Sequence, residues 1–343
     1  MEITIPKKLD TDQAIKFIEY IHSINLLDIS SIKFVAQMTF VRTFAMTFVA
    51  LGLKQFASRA KLKNPDLIIS IEVYPDTSGV SYAANMGFFK CISSSILVGN
   101  DPGTLGGNQN YLPITQMDLS SVRKKYNSFY EVGEIVQKES MHLASVLSHS
   151  QNNLTELFTY IFREMIRNTP EHAKTNTVWF AGQYYSRDNA AEICIIDEGQ
   201  GIFESLKQNV FYEELIKSNS DALQWAIKPG ISQAFSLKEK PRRKSEWDNS
   251  GYGLYFITEI CKLLKGSFCL VSGDAFLKLG TDGHLTFGKA QFDGTAVKVS
   301  ISLSEDFKVD NMLKFIRDKG REESKKMKYS FDTPSRSSRS ITV

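Results

Sequence analysis

Glu164, Asn168 and His172 recur every fourth residue in the stretch LFTYIFREMIRNTPEH. On a helix that spacing stacks an acid, an amide and an imidazole on one face, a turn apart. Such a face can supply a general base and an oxygen ligand for a hard cation. A second group follows in EICIIDEGQG, where Asp197 is trailed by Gly199 and Gly201. A third is Ser250, Gly251, Tyr252, Gly253 and Leu254, which leads into YFITEICKLL. Glycines that open a helix leave free backbone N–H groups, which suit a phosphate. A fourth is Gly294-Thr295, ahead of the alternating run AVKVSISL.

The elements that must carry these residues are legible around them. Leu157, Phe158, Ile161, Phe162, Met165 and Ile166 form an apolar stripe beside the Glu164 face, so that face borders a core. Ile193 to Ile196 reads as a buried strand, and a strand ending in an acid and two glycines is an entrance to a ligand site. The competing readings are ordinary: E-x-x-x-N alone is a solvated helix face, and D-x-G-x-G alone is a turn. A dinucleotide-binding turn at Gly251 and Gly253 is excluded, because Phe256 holds the third glycine position and WDNS precedes the pair.

Taken in this order, the four groups resemble the GHKL ATPase superfamily of gyrase B, heat-shock chaperone ATPases, histidine kinases and MutL. The resemblance spans roughly Asn153 to Leu303. It implies ATP and Mg²⁺ as ligands. It gives Glu164 the role of the acid that activates the attacking water or acceptor hydroxyl, and Asn168 that of the Mg²⁺ ligand. Asp197 is similar to the aspartate that accepts from the adenine amino group, with Gly199 and Gly201 letting the chain pass close to the base. Gly251, Tyr252, Gly253 and Leu254 resemble the second glycine box beside the phosphates, and Thr295 the threonine that supports Asp197. His172 occupies a basic position of the same helix; a helix-end histidine beside Glu171 is the alternative. The basic run with Lys238, Lys240, Arg242, Arg243 and Lys244 falls where the family carries its ATP lid.

Composition sets the frame. The chain has 343 residues, 42% hydrophobic and 23% charged, with a net charge of +3. Those values fit a soluble globular protein of about two domains, and the charge is too small to argue for nucleic acid. Cys91, Cys194, Cys261 and Cys269 form no C-x-x-C pair, which argues against zinc and for a reducing compartment. The most apolar helix, Thr43 to Leu53, is too short to span a bilayer and is flanked by Arg42 and Lys54. The expected location is cytoplasmic, with no membrane.

Along the chain, strands and helices alternate from Ile3 to Leu119, as in an α/β layer domain. The pattern from Asp28 to Val35 and the turn NMGFF at Asn85–Phe89 resemble the STAS fold of anti-sigma-factor antagonists. Where phosphorylated members of that family carry serine, this chain has Met38 and Thr39, so the resemblance implies a docking or structural copy. The loop from Gly103 to Asn110 lacks the Lys and Ser/Thr of a phosphate loop. His149 is followed by Ser150 rather than an acid, unlike the phosphoacceptor box of histidine kinases. Four strand-like runs, SFCLVSG, AFLKLG, HLTFG and AVKVSISL, are expected to complete a sheet with helices on one face.

The resulting expectation is an α/β chain: a STAS-like domain at 1–119, a linker helix at 120–150, a GHKL-type two-layer α/β sandwich (Bergerat fold) at 151–304, and a helical then disordered tail at 305–343. Three functions follow: an ATP-driven conformational switch in a regulatory complex, a serine protein kinase of the anti-sigma-factor type, and a nucleotide-binding module without turnover. A protein partner is expected in each, and a homo-oligomer is compatible with each.

Overall fold

The structure is a computed structural model, and it describes residues 1–103, 110–118, 129–148, 152–168, 174–175, 177–235, 251–303, 308–331 and 334. Its architecture is mixed α/β. Strands β1 (Glu2–Thr4), β3 (Ser31–Ala36) and β5 (Ile68–Val73) form a parallel sheet in the order β1-β3-β5. Parallel neighbours need crossover helices. These are α1 (Thr11–Ser23), capped by Asp10 on the Gln13 N–H at 2.9 Å, and α2 (Thr43–Lys63). The short strands β2 (Lys8–Leu9) and β4 (Phe40–Val41) pair beside them. Met38 is buried, and the hydroxyl of Thr39 donates to the carbonyl of Lys7 at 3.2 Å. SYAANMGFFKCI is not one helix. Gly87, at φ 86°, divides it into α3 (Ser78–Asn85) and α4 (Phe88–Ile92).

The second sheet has five antiparallel strands in the order β6-β7-β8-β10-β9: β6 (Tyr111–Asp118), β7 (Thr177–Tyr185), β8 (Ala190–Asp197), β9 (Ser267–Leu279) and β10 (Leu285–Ser302). Two departures from the sequence reading matter here. The four strand-like runs after Gly266 are two long strands, because Gly273 and Gly288 sit within the β9–β10 ladder instead of ending it. Tyr111–Asp118, grouped above with the first domain, hydrogen-bonds to β7 in this second sheet.

One face of the sheet carries α5 (Phe129–Leu147), α6 (Asn152–Asn168), α9 (Gly253–Leu263) and α10 (Val309–Lys325). The stretch expected to be a linker thus contributes α5 to this helical layer, with Leu143, Ala144 and Leu147 buried against it. The opposite face is not open, as a sheet with helices on one face would leave it. Trp179, Ala181, Cys194, Ile196, Val271 and Phe292 pack into one core with Phe44 and Phe48 of α2. Covering on both sides explains the unbroken apolar run of β8, and also why every residue of α2 from Thr43 to Leu53 is buried. All four cysteines are free and buried, and burial pushes their thiols up, so they act as small core hydrophobes.

After β8 come α7 (Gly201–Lys207), a 3₁₀ turn at Val210–Tyr212 and α8 (Asn219–Ala226). The tail expected to be disordered is anchored at its start. Ser330 is buried, and the Phe331 N–H donates to the Gly230 carbonyl at 2.9 Å. No helix among the described residues is long and apolar enough to cross a membrane.

Candidate functional site

Helix α6 lays its apolar stripe on the sheet and brings Glu164 and Asn168 to the edge of a cleft. Glu164 is buried together with its neighbours Arg163 and Arg167. Buried charges require partners. Arg167 Nη2 donates to Glu164 Oε2 at 2.8 Å, and Arg163 Nη1 donates to Gln137 Oε1 at 3.1 Å. Burial lowers the pKa of the Arg163 guanidinium, and the Glu164 carboxylate opposes that shift.

The second glycine pair meets this helix. A Cβ added at Gly253 would lie 3.0 Å from Glu164 Oε2 and 3.6 Å from Asn168 Nδ2. Gly251 has φ 72°, and a Cβ there would lie 2.2 Å from the carbonyl oxygen of Ile231. Only glycine fits both the conformation and the space.

Asp197 ends β8 directly opposite Thr295 of β10. Its Oδ1 accepts from the Gly199 N–H at 2.9 Å, and the backbone and hydroxyl of Thr295 also favour the charged carboxylate. Burial nevertheless pushes the carboxyl up to about 7; those donors hold it down, and Glu198 adds to the rise. Gly201, at φ 77°, turns the chain into α7. Ser272 ties this corner together: its hydroxyl donates to the Gly294 carbonyl at 2.7 Å and accepts from the Ile202 N–H at 3.0 Å.

Asn168, Asp197, Gly201, Gly251, Gly253, Leu254 and Thr295 therefore border one cleft. Glu164 stands behind Gly253, and Gly199 acts through Asp197. Tyr252 does not face the cleft. Its phenol is buried and hydrogen-bonds Ser324 Oγ and the Phe331 carbonyl, both at 3.0 Å, so that side chain belongs to the core. His172, His149 and the basic run from Lys238 to Lys244 lie outside the described residues.

The cleft walls also include residues that motif reading missed. Ile195 and Val297 stand two places from Asp197 and Thr295, so strand alternation alone could have found them. Ser205 and Leu206 follow from helical spacing after Gly201 and Ile202. Ile231, Ser232 and Gln233 sit in an irregular loop and carry no such signal. The slot is mostly apolar with a single buried carboxylate, which suits a flat ring bearing an N–H donor. Among the described residues no cluster of three or more His, Cys, Asp or Glu could hold a metal by itself. Comparison of the chain with family models, with curated proteins and with solved structures finds no match.

Proposed function

We propose that this chain binds Mg-ATP in the cleft between α6, α9 and the β8–β10 pair, as a GHKL-type ATPase with a Bergerat sandwich. On this reading it works as a nucleotide-driven conformational switch. The observation that carries the reading is the meeting of four separate sequence groups at one cleft. Asp197 is braced by Thr295 in one part, and Asn168 and Glu164 face Gly253 in another. Asp197 would accept from the adenine amino group, with Ile195, Val297 and Leu206 against the base. Mg²⁺ prefers oxygen ligands and keeps waters, so one amide oxygen from Asn168 beside phosphate oxygens fits it. Bound there, it would neutralise phosphate charge. Glu164, one turn from Asn168, would accept the proton of the attacking water or hydroxyl. The amino-terminal unit, proposed as STAS-like, would be the part that senses the cleft.

One observation favours a second reading, nucleotide binding without turnover: the Glu164 carboxylate is already engaged by Arg167 in a buried pair. Both readings are tested by titrating the purified chain with Mg-ATP and measuring phosphate release, alone and with protein acceptors. Tight binding with release supports the switch, and labelled acceptor supports phosphotransfer. Binding without either supports the module. Absence of binding removes both readings, and phosphotransfer with them.

A further inference from the structure

Helix α2 runs along β8, and two sets of its polar contacts reach the five-stranded sheet and its loops. At the helix start, the Phe44 N–H donates to Glu192 Oε1 at 2.8 Å, and the Thr43 N–H donates to Tyr185 Oη at 3.0 Å. These cap α2 and lie away from the cleft. The second set is different, because it reaches the two loops that hold Asp197 and Thr295.

Lys54 Nζ bonds Glu198 Oε2 at 2.8 Å, immediately beyond Asp197. The same oxygen accepts from Trp179 Nε1 at 3.0 Å, and the Lys54 ammonium lies 5.1 Å from that ring's centre. Gln55 grips the backbone of Asp293 twice: its Nε2 donates to the carbonyl at 2.7 Å, and its Oε1 accepts from the N–H at 3.0 Å. Arg59 pairs with the carboxylate of the same Asp293. The next residue, Gly294, lies so close that a Cβ there would sit 2.0 Å from the carbonyl oxygen of Asp197. One helix of the amino-terminal unit thus holds both sides of the corner in which Asp197 is braced.

We infer that Lys54, Gln55 and Arg59 are positioning residues of the cleft, through which the amino-terminal unit sets the cleft's affinity for its ligand. Coupling of this kind is reciprocal, so a filled cleft tightens the hold of α2 on the two loops by the same factor. Naming the ligand as Mg-ATP rests on the reading above; the grip on the loops does not.

The test uses the full chain with Lys54→Ala, Gln55→Glu and the conservative Lys54→Arg. Lys54 and Glu198 are partly exposed, so Lys54→Ala leaves the core intact. Without ligand, amide hydrogen exchange at 198–202 and 293–295 is expected to quicken in Lys54→Ala and Gln55→Glu, while α6 and α9 keep their protection. Mg-ATP affinity should fall about tenfold in both, within the usual range for coupled sites. Lys54→Arg should restore exchange and affinity. In Lys54→Ala the Glu198 charge beside Asp197 loses its partner, so the pH midpoint of binding should move up, which loss of packing alone would not produce. Unchanged exchange in both loops overturns the inference, and so does loss of protection spread evenly over the sheet. If the loops respond but the wild type binds no Mg-ATP, the positioning role stands and the nucleotide reading falls.

Discussion

Asp197 and Thr295 face each other across adjacent antiparallel strands, and the backbone and hydroxyl of Thr295 work against the rise that burial imposes on the Asp197 carboxyl. The two come from segments almost a hundred residues apart, and neither is informative alone. Together they hold a buried acid in one orientation at the edge of a cleft.

That acid should make binding pH-dependent. Burial raises the Asp197 carboxyl to about 7 in the free protein, and a donated N–H from a ligand favours its ionised form. Mg-ATP affinity is therefore expected to rise between about pH 6 and about pH 8. Asp197→Asn should lose this slope and bind about ten- to a hundredfold more weakly. Calorimetric titration of both proteins checks it, since titration of the phosphates is common to the pair. Stability runs the other way. The folded pKa lies above the ordinary 3.8, so the contribution of protonated Asp197 is complete below that value and is lost as pH rises through about 7.

Glu164 should be changed to Gln, not Ala. Truncation would leave Arg167 buried without its carboxylate, at a cost of about 3–5 kcal/mol. Glu164→Gln keeps an acceptor for Arg167 but no longer takes a proton. It should bind Mg-ATP like wild type while turnover falls by about 10²–10⁴. Single-turnover assays beside equilibrium titration separate the two effects. Asn168→Ala should lower metal-dependent binding and turnover together.

The two glycines of the 251–253 turn should fail in different ways. Gly251→Ala forces an L side chain to φ 72° against the Ile231 carbonyl. The strain alone costs about 1–3 kcal/mol, so the melting temperature should drop. Gly253→Ala strains no backbone but crowds Glu164 Oε2, the acceptor for Arg167, at 3.0 Å. It should melt above Gly251→Ala and lose activity by displacing the Glu164 carboxylate. Thermal melts and phosphate release on both variants decide this.

Tyr252→Phe tests the core assignment. The phenol serves Ser324 Oγ and the Phe331 carbonyl, so its removal should cost about 1–3 kcal/mol in urea unfolding. Ligand affinity should be unchanged. A selective loss of affinity would return Tyr252 to the cleft.

How much of this was legible in the sequence differs by element. The α6 face, the β8 strand end and the glycine turn were readable because each leaves a local mark: a 3.6-residue period, an apolar run with an acid, a helix opened by glycine. The covering of the sheet by α2 was not, since an apolar helix does not say what lies on its second side. The inward turn of the Tyr252 phenol was not legible, because proximity in sequence to Gly251 and Gly253 says nothing about the direction of a side chain. The Ile231–Gln233 wall left no mark, because an irregular loop has no period. The β6 strand was placed with the wrong sheet because strand pattern fixes a face to bury, not a neighbour to pair with.

The burial of α2 on both sides also bears on the order of synthesis. The helix is made before the five-stranded sheet, and the helices packed on its first side, α1 and α4, are complete at Ile92. The sheet that covers its second side closes only once Ser302 has been made. More than two hundred residues of elongation separate Phe44 and Phe48 from Phe292, the ring that packs on Phe48. Through that span the nascent chain carries a bare apolar ridge, and chaperones that bind such surfaces should hold it until β10 docks.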